Sequence, residues 1–202
     1  LNDPAVIEAA KFMQELYEDG LMKVPAGEQA NETKKQDFAN SKAAMMYTST
    51  ADLSYFLPLA EENGFELDVS FIPKNKEYAV PTGGCNIVMT NGLSEEKQKA
   101  AWTFMKWMTD TEQTAYASEY TGYLPARYSA LETDRLTNLY KETPQFKVAV
   151  DQLDYAVIRP IADGWPEVNK LLSEQLTLVV TEGKDATEAM NELQKTAETL
   201  IK

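Results

Sequence analysis

The sequence contains no histidine, which removes at once the usual general base, the usual partner of an activated nucleophile and the commonest metal ligand. Most hydrolase and metalloenzyme readings fall with it, and no catalytic residue, metal or other cofactor is expected. A single cysteine, Cys85, excludes an intrachain disulfide and a thiolate cluster for zinc, and leaves the redox compartment unread. Basic residues are scarce, 19 against 32 acidic ones, for a net charge of -13. Such a chain repels a phosphate backbone, so nucleic acid is not an expected partner. Long apolar runs are missing too: none approaches the ~20 residues that a membrane-spanning helix needs. The chain opens without Met on Leu1-Asn2-Asp3-Pro4, which reads as a helix start rather than a secretion signal. A processed or truncated piece of a longer protein is the expectation.

What is present suffices for a packed interior. With 202 residues, 44% of them hydrophobic, the chain can bury a core in one or two domains. Asp3 as N-cap and Pro4 at the first helical position predict an amphipathic helix, with Val6, Ala9, Ala10, Met13, Leu16 and Tyr17 at helical spacing and a stop at Gly20. A short second helix is expected over 34–40. The apolar run 43–47 has strand length and ends on the hydroxyl cluster Thr48-Ser49-Thr50, the place where α/β proteins hold ligands. A helix over 52–63 ends at Gly64, and alternating Leu67, Val69 and Phe71 predict a strand. Residues 73–84 read as a loop that leads into a strand over 86–90. Ser94 caps a further helix, whose stripe of Ala101, Phe104, Met105 and Met108 is expected to be buried. Another helix, 111–120, stops at Gly122, and Tyr123-Leu124-Pro125 reads as extended because Leu124 precedes proline.

From there the chain is mainly helical, over 144–157, 166–180 and 186–201. Val168, Leu171, Leu172, Leu176, Val179 and Val180 form one stripe. Ala186, Met190, Leu193, Ala197 and Leu200 form the next. Asp185 and Glu188 have the spacing of a capping box, so the last helix should start near Ala186. The fold class is therefore α/β with a helix-rich C-terminal half.

Five short motifs fall in a familiar order: A-A-M-M-Y-T-S-T at 43–50, P-T-G-G at 81–84, W-T-F-M-K-W-M at 102–108, T-G-Y-L-P at 121–125 and W-P-E-V at 165–168. Together they resemble the family-1 extracellular solute-binding proteins of ABC importers, above all members that take glycerol 3-phosphate and, further off, those that take maltodextrins and other oligosaccharides. The resemblance covers essentially the whole chain; each motif alone is weak, and their order carries it. It implies a class II periplasmic-binding-protein fold, two lobes hinged around a ligand, with the N-terminal half absent. On that analogy 1–64 is the first part of the C-terminal lobe, 65–121 crosses into the N-terminal lobe and 122–202 is the helical remainder of the C-terminal lobe. Gly64 and Gly122 are hinge candidates. The implied function is import of a sugar or a glycerol-phosphate-like solute, in partnership with the membrane subunits of the transporter. The implied location is the periplasm, or the cell surface as a lipoprotein.

The resemblance also implies site residues. Ser49, with Thr50 beside it, stands where the glycerol-3-phosphate-binding members place a ligand-contacting serine; a loop-capping hydroxyl is the alternative. Ala51 and Asp52 stand where sugar-binding members often carry a stacking tryptophan, which disfavours a long oligosaccharide. Gly83 and Gly84 would bring backbone N–H groups to a ligand, or simply make a turn. Tyr123 matches a tyrosine whose hydroxyl reaches the ligand, or is a core aromatic with a wet hydroxyl. Asn169 occupies the position of an arginine that clamps phosphate, and asparagine cannot supply that charge-assisted fork. Arg159 is the candidate replacement, with a surface ion pair as its alternative. Trp165 would stack on a sugar or staple a helix start.

Two other classes compete with a binding module. A carboxylate glycosidase needs two acids ~5 to 9 Å apart, for which Asp151, Asp154, Asp163 and Glu167 are candidates with helix-surface spacing. An interaction domain would expose an apolar patch, and a truncated piece of that kind is expected to dimerise.

Overall fold

The computed structural model describes residues 1–25 and 27–201. They divide into two compact units, one built from 1–37 with 160–202 and the other from 38–159.

In the first unit, α1 (Pro4–Glu18), α8 (Trp165–Glu182) and α9 (Ala186–Leu200) pack side by side. Asp3 starts α1 as expected, its carboxylate accepting from the Ala5 amide at 2.8 Å. Asp185 likewise accepts from the Glu188 amide at 2.8 Å, so α9 begins at Ala186. The shared interior is Ala10, Val179, Ala186, Ala189, Met190 and Leu193, flanked by Val6, Ile7, Leu171, Leu172 and Leu176. These are the two stripes expected of α8 and α9. Alanines at 10, 186 and 189 let the helix backbones approach closely, and the longer side chains fill the space between them. Asn2 Nδ2 donates to Asn191 Oδ1 at 2.8 Å, which ties the segment before α1 to α9. The helix α2 (Ala30–Ala39) starts earlier than the 34–40 span expected, and its Asp37, almost fully buried, is paired with Lys23 at 2.6 Å.

The second unit runs α3 (Leu53–Asn63), β1 (Val80–Pro81), α4 (Glu95–Met108), α5 (Thr111–Thr121), α6 (Asp134–Glu142), α7 (Gln145–Gln152) and β2 (Ala156–Val157). Edge-to-face contacts of Phe38 with Phe56 and Phe65, at 5.3 and 6.2 Å between ring centres, hold α3. Ala115, Ala130 and Leu136 form the heart of a second cluster, with Leu131, Leu139 and Tyr140 around them.

Several expectations are corrected here. Residues 43–47, 67–71 and 86–90 have strand composition, yet none is in a ladder among the described residues. A strand exists only where its N–H and C=O groups find a second chain segment. The ladder that does form, the parallel pair β1–β2, lies in an expected loop and in the end of an expected helix. The helix expected over 144–157 stops at Gln152 and passes through a single tight turn, Leu153–Tyr155, into β2. The α4 stripe is not buried: Phe104 is 56% exposed and Met108 38%, and Trp102 and Trp107 on the same helix are exposed as well. The α4 segment meets α5 and little else, so an amphipathic pattern finds no second layer here.

Candidate functional site

Ser49 precedes the 3-10 turn Thr50–Asp52, and its Oγ accepts from the Ala51 amide at 3.3 Å. The loop-capping role is therefore real. It uses a lone pair of the hydroxyl and leaves the hydrogen able to donate elsewhere. Next to it, Thr48 Oγ1 donates to the Asp52 carboxylate, which pins the turn from its other end.

The Thr50 carbonyl lies against Gly122. Gly122 caps α5 at φ 78°, and a Cβ there would stand 2.5 Å from Thr50 O. Only glycine permits both the left-handed backbone and this approach. The turn at 49–52 and the segment at 122–123 are thus in direct backbone contact, as if the absent side chain had been removed to make room. Ser54 on α3 adds a bond from its hydroxyl to the Tyr120 carbonyl at 3.2 Å.

Tyr123 follows, with its side chain half exposed. Its backbone is held twice: the amide donates to Thr121 Oγ1 at 3.2 Å and the carbonyl accepts from Ser118 Oγ at 2.6 Å. One turn before Ser118, Thr114 Oγ1 accepts from the Ala126 amide at 2.7 Å. Thr114 and Ser118 are both nearly fully buried on one face of α5. They are positioning residues that the sequence reading passed over. Their signal was faint: two hydroxyls four residues apart on a helix whose neighbours Ala115 and Leu136 are core. Ser118→Ala should cost about 1–2 kcal/mol by stranding the Tyr123 carbonyl. Urea unfolding of the variant checks this, and an unchanged midpoint contradicts it.

Tyr140 on α6 shares a hydrogen bond with the same Ser118. Its hydroxyl is held above the ordinary value of 10.0, chiefly by burial and then by the nearby Asp151 carboxylate, with the Ser118 bond opposing. Below pH 10 both folded and unfolded forms keep this proton, so it contributes no pH dependence. Above pH 10 the unfolded chain ionises first, and stability falls as pH rises towards the folded value. Tyr140→Phe should flatten this alkaline loss, read from unfolding midpoints between pH 8 and 11; an identical slope in the variant would refute the assignment.

The second group is built by the β1–β2 pair. Val80 faces Ala156 and Pro81 faces Val157, and the Thr82 amide extends the ladder to the Val157 carbonyl at 3.0 Å. One further step in this parallel register sets Gly83 beside Arg159. A Cβ on Gly83 would stand 2.9 Å from Arg159 Nη2 and 3.2 Å from its Cζ. Gly83, Gly84 and Arg159 are all exposed, and nothing approaches the position where a side chain of Gly84 would begin. Phe71, Tyr78 and Tyr155, with ring centres 5.1 to 6.0 Å apart, brace the other end of the pair. The sequence reading missed this triad because its members come from three separate stretches.

Thr50 is thus joined to the Gly122–Tyr123 segment and Gly83 to Arg159, all within the unit 38–159. Trp165 and Asn169 lie on α8 in the other unit, Trp165 half-buried at its first position and Asn169 exposed one turn later. Among the glycosidase candidates, Asp151 is paired with Lys147 on its own helix. Among the described residues, one surface depression is lined by Leu171, Gln175 and Lys195 and another by Glu112, Arg135 and Asn138, and no candidate residue lines either of these.

Comparison with known proteins decides the family. The model of the bacterial extracellular solute-binding proteins matches residues 1–148. The chain belongs to that family. It is 22% identical, over 96% of its length, to the sn-glycerol-3-phosphate-binding periplasmic protein UgpB of Brucella abortus, of which it covers 45%. Among solved structures it resembles UgpB from Mycobacterium tuberculosis in complex with glycerophosphocholine, at 27% identity and a TM-score of 0.82 over 98% of this chain and 49% of that one. It also superimposes on maltose-bound T. maritima MalE3, at 19% identity and a TM-score of 0.82, over 98% of this chain and 51% of that one. The chain therefore spans about half the length of the relatives it matches, and its fold is of the periplasmic-binding-protein type. Membership places it outside the cytoplasm, and no described helix is long and apolar enough to cross a membrane. The relatives named here are binding proteins, not enzymes.

Proposed function

We propose that this chain forms part of the solute-binding component of an ABC importer, and that it contributes ligand contacts to a carbohydrate or a glycerol-phosphate-like solute. The observation that carries the reading is the contact of two hydroxyl- and backbone-bearing turns, 49–52 and 122–123, through a glycine that tolerates no side chain. Such a construction presents Ser49 and Tyr123 on a backbone fixed by packing rather than on a loose loop, which is what a receptor needs to bind without reorganising. The relatives add chemical direction, since one carries a bound phosphodiester of glycerol and another a bound disaccharide.

In this reading Ser49 and Tyr123 donate hydroxyl hydrogens to ligand oxygens, the Gly83–Gly84 backbone approaches the ligand closely, and Arg159 stands beside it. Trp165 and Asn169 are assigned to the ligand on the family's pattern. The lobe boundaries at 64 and 121, the hinges at Gly64 and Gly122, and docking to transporter membrane subunits belong to the same proposal. Titration calorimetry of the full-length protein against glycerol phosphates, glycerophosphodiesters and small sugars tests it. Saturable 1:1 binding of a member of either set supports the proposal, and heat of dilution alone across both sets would overturn it.

A further inference from the structure

We propose that Gly164 is a positioning residue for the solute site: its missing side chain lets the end of α9 seat directly on the backbone in front of Trp165, and so fixes where that indole starts. This deepens the solute-receptor reading and rests on it, through the assignment of Trp165 to the solute.

Helix initiation does not explain this glycine. The helices α1, α4, α5 and α6 start on Asp3, Ser94, Asp110 and Thr133, each with extended backbone and a side chain that accepts an amide of the first turn. Helix α8 instead starts on Gly164 at φ 85°, a left-handed conformation foreign to an N-cap, on a residue with no side chain to cap the helix. What requires glycine is packing. A Cβ at 164 would collide with the Leu200 carbonyl oxygen and stand 2.8 Å from its carbon and 3.5 Å from the Ile201 nitrogen, all of them backbone atoms. The short turn at 183–185 reverses the chain between α8 and α9, and their shared core of Val179, Ala189, Met190 and Leu193 holds the two together. The last turn of α9 is thereby returned to the first turn of α8.

The same construction stands before the other aromatic assigned to the solute. Gly122, also left-handed, meets the Thr50 carbonyl and directly precedes Tyr123. At the remaining left-handed glycines, Gly20, Gly27, Gly64, Gly92 and Gly183, an added Cβ would meet no described atom within 4 Å. Among the described residues, then, a left-handed glycine pressed by a distant carbonyl occurs only where the next residue is one of these two aromatics. Trp165 is held further by its own neighbours. Its amide donates to the Ala162 carbonyl at 3.1 Å, and Pro166 after it restricts its backbone. A side chain mounted on backbone fixed from both sides needs little reordering when it meets a ligand.

The test compares Gly164→Ala with Gly183→Ala, which carries the same left-handed strain at the opposite end of α8 with no carbonyl in the way. Calorimetry on the full-length protein uses glycerol 3-phosphate, glycerophosphocholine, glycerol and maltose. Fluorine NMR of fluorotryptophan-labelled protein follows Trp165, its resonance assigned by its loss in Trp165→Phe. Gly164→Ala should displace that resonance in the absence of solute and weaken binding of the solute that wild type takes up by about tenfold. Gly183→Ala should leave the resonance in place and the affinity within about twofold of wild type. Gly164→Asn, which suits the left-handed backbone better but keeps the Cβ, should behave like Gly164→Ala and replaces it if alanine prevents folding. Trp165→Ala should weaken binding by itself, and adding Gly164→Ala to it should cost little more. An unmoved resonance in Gly164→Ala, an equal affinity loss in Gly183→Ala, or a full additional loss in the Trp165→Ala background overturns the positioning role while the receptor reading stands. Wild-type affinity in Trp165→Ala does the same. Binding of none of the four solutes by wild type overturns both.

Discussion

Gly122→Ala should destabilise the protein by roughly 2–4 kcal/mol, a large effect for the addition of one methyl group. The left-handed conformation at φ 78° alone costs an alanine about 1–2 kcal/mol. The remainder comes from contact: the new carbon would stand 2.5 Å from the Thr50 carbonyl oxygen and 3.4 Å from the Ala51 Cα, and both neighbours are backbone. A flexible side chain could turn aside, but a peptide group must move as a unit and take the Ser49 cap with it. Affinity for solute should fall together with stability, because Ser49 and Tyr123 lie on either side of the altered contact. Denaturant unfolding and calorimetry on the same variant read both effects. A variant with wild-type stability would mean that the turn at 49–52 and the end of α5 are not held together as described.

Leu136→Ala should cost about 3–5 kcal/mol, in the upper part of the range for buried leucine. Leu136 is fully buried, and the other fully buried members of its cluster are Ala115 and Ala130. Alanine has no rotamers with which to fill a vacated space, so the cavity persists and its surface energy is not recovered. Tyr140, packed on this cluster and bonded to Ser118, would lose part of its support, and the Tyr123 segment would loosen with it. Unfolding by urea at neutral pH measures the change, and a loss below about 1 kcal/mol would contradict the packing described.

The helices were legible because their causes are local. Asp3 with Pro4, Ser94 and Asp185 cap helices where the sequence places them, and the periodic stripes of α8 and α9 face each other as the period requires. The strands were legible only as composition. Val69 and Phe71, or Ile87 and Met89, show what a strand is made of, whereas pairing depends on a partner that no local pattern names. The two-residue pair at 80–81 and 156–157 was invisible for the same reason. The exposed α4 illustrates a further limit, because an apolar stripe records that a face is suited to burial and not what covers it.

At the site, residue types were readable and contacts were not. The hydroxyl cluster at 48–50, the paired glycines at 83–84 and Tyr123 could be singled out from sequence. That Gly122, read as a helix stop, is also the surface on which Thr50 rests required the fold. So did the closeness of Arg159 to Gly83, since the long stretch 84–158 must be folded before the two meet. Thr114 and Ser118 are ordinary helix residues by pattern and gain their role only from the Tyr123 and Ala126 backbone above them.

Hydrogen exchange of the full-length protein, followed by mass spectrometry with and without a bound solute, bears most directly on the claim that distant turns of this chain together contact one ligand. Slower exchange on binding is predicted in three separated stretches, 48–52, 82–85 and 121–124, at matching solute concentrations. Saturable binding that leaves all three unchanged and protects other segments instead would show that the ligand is held elsewhere.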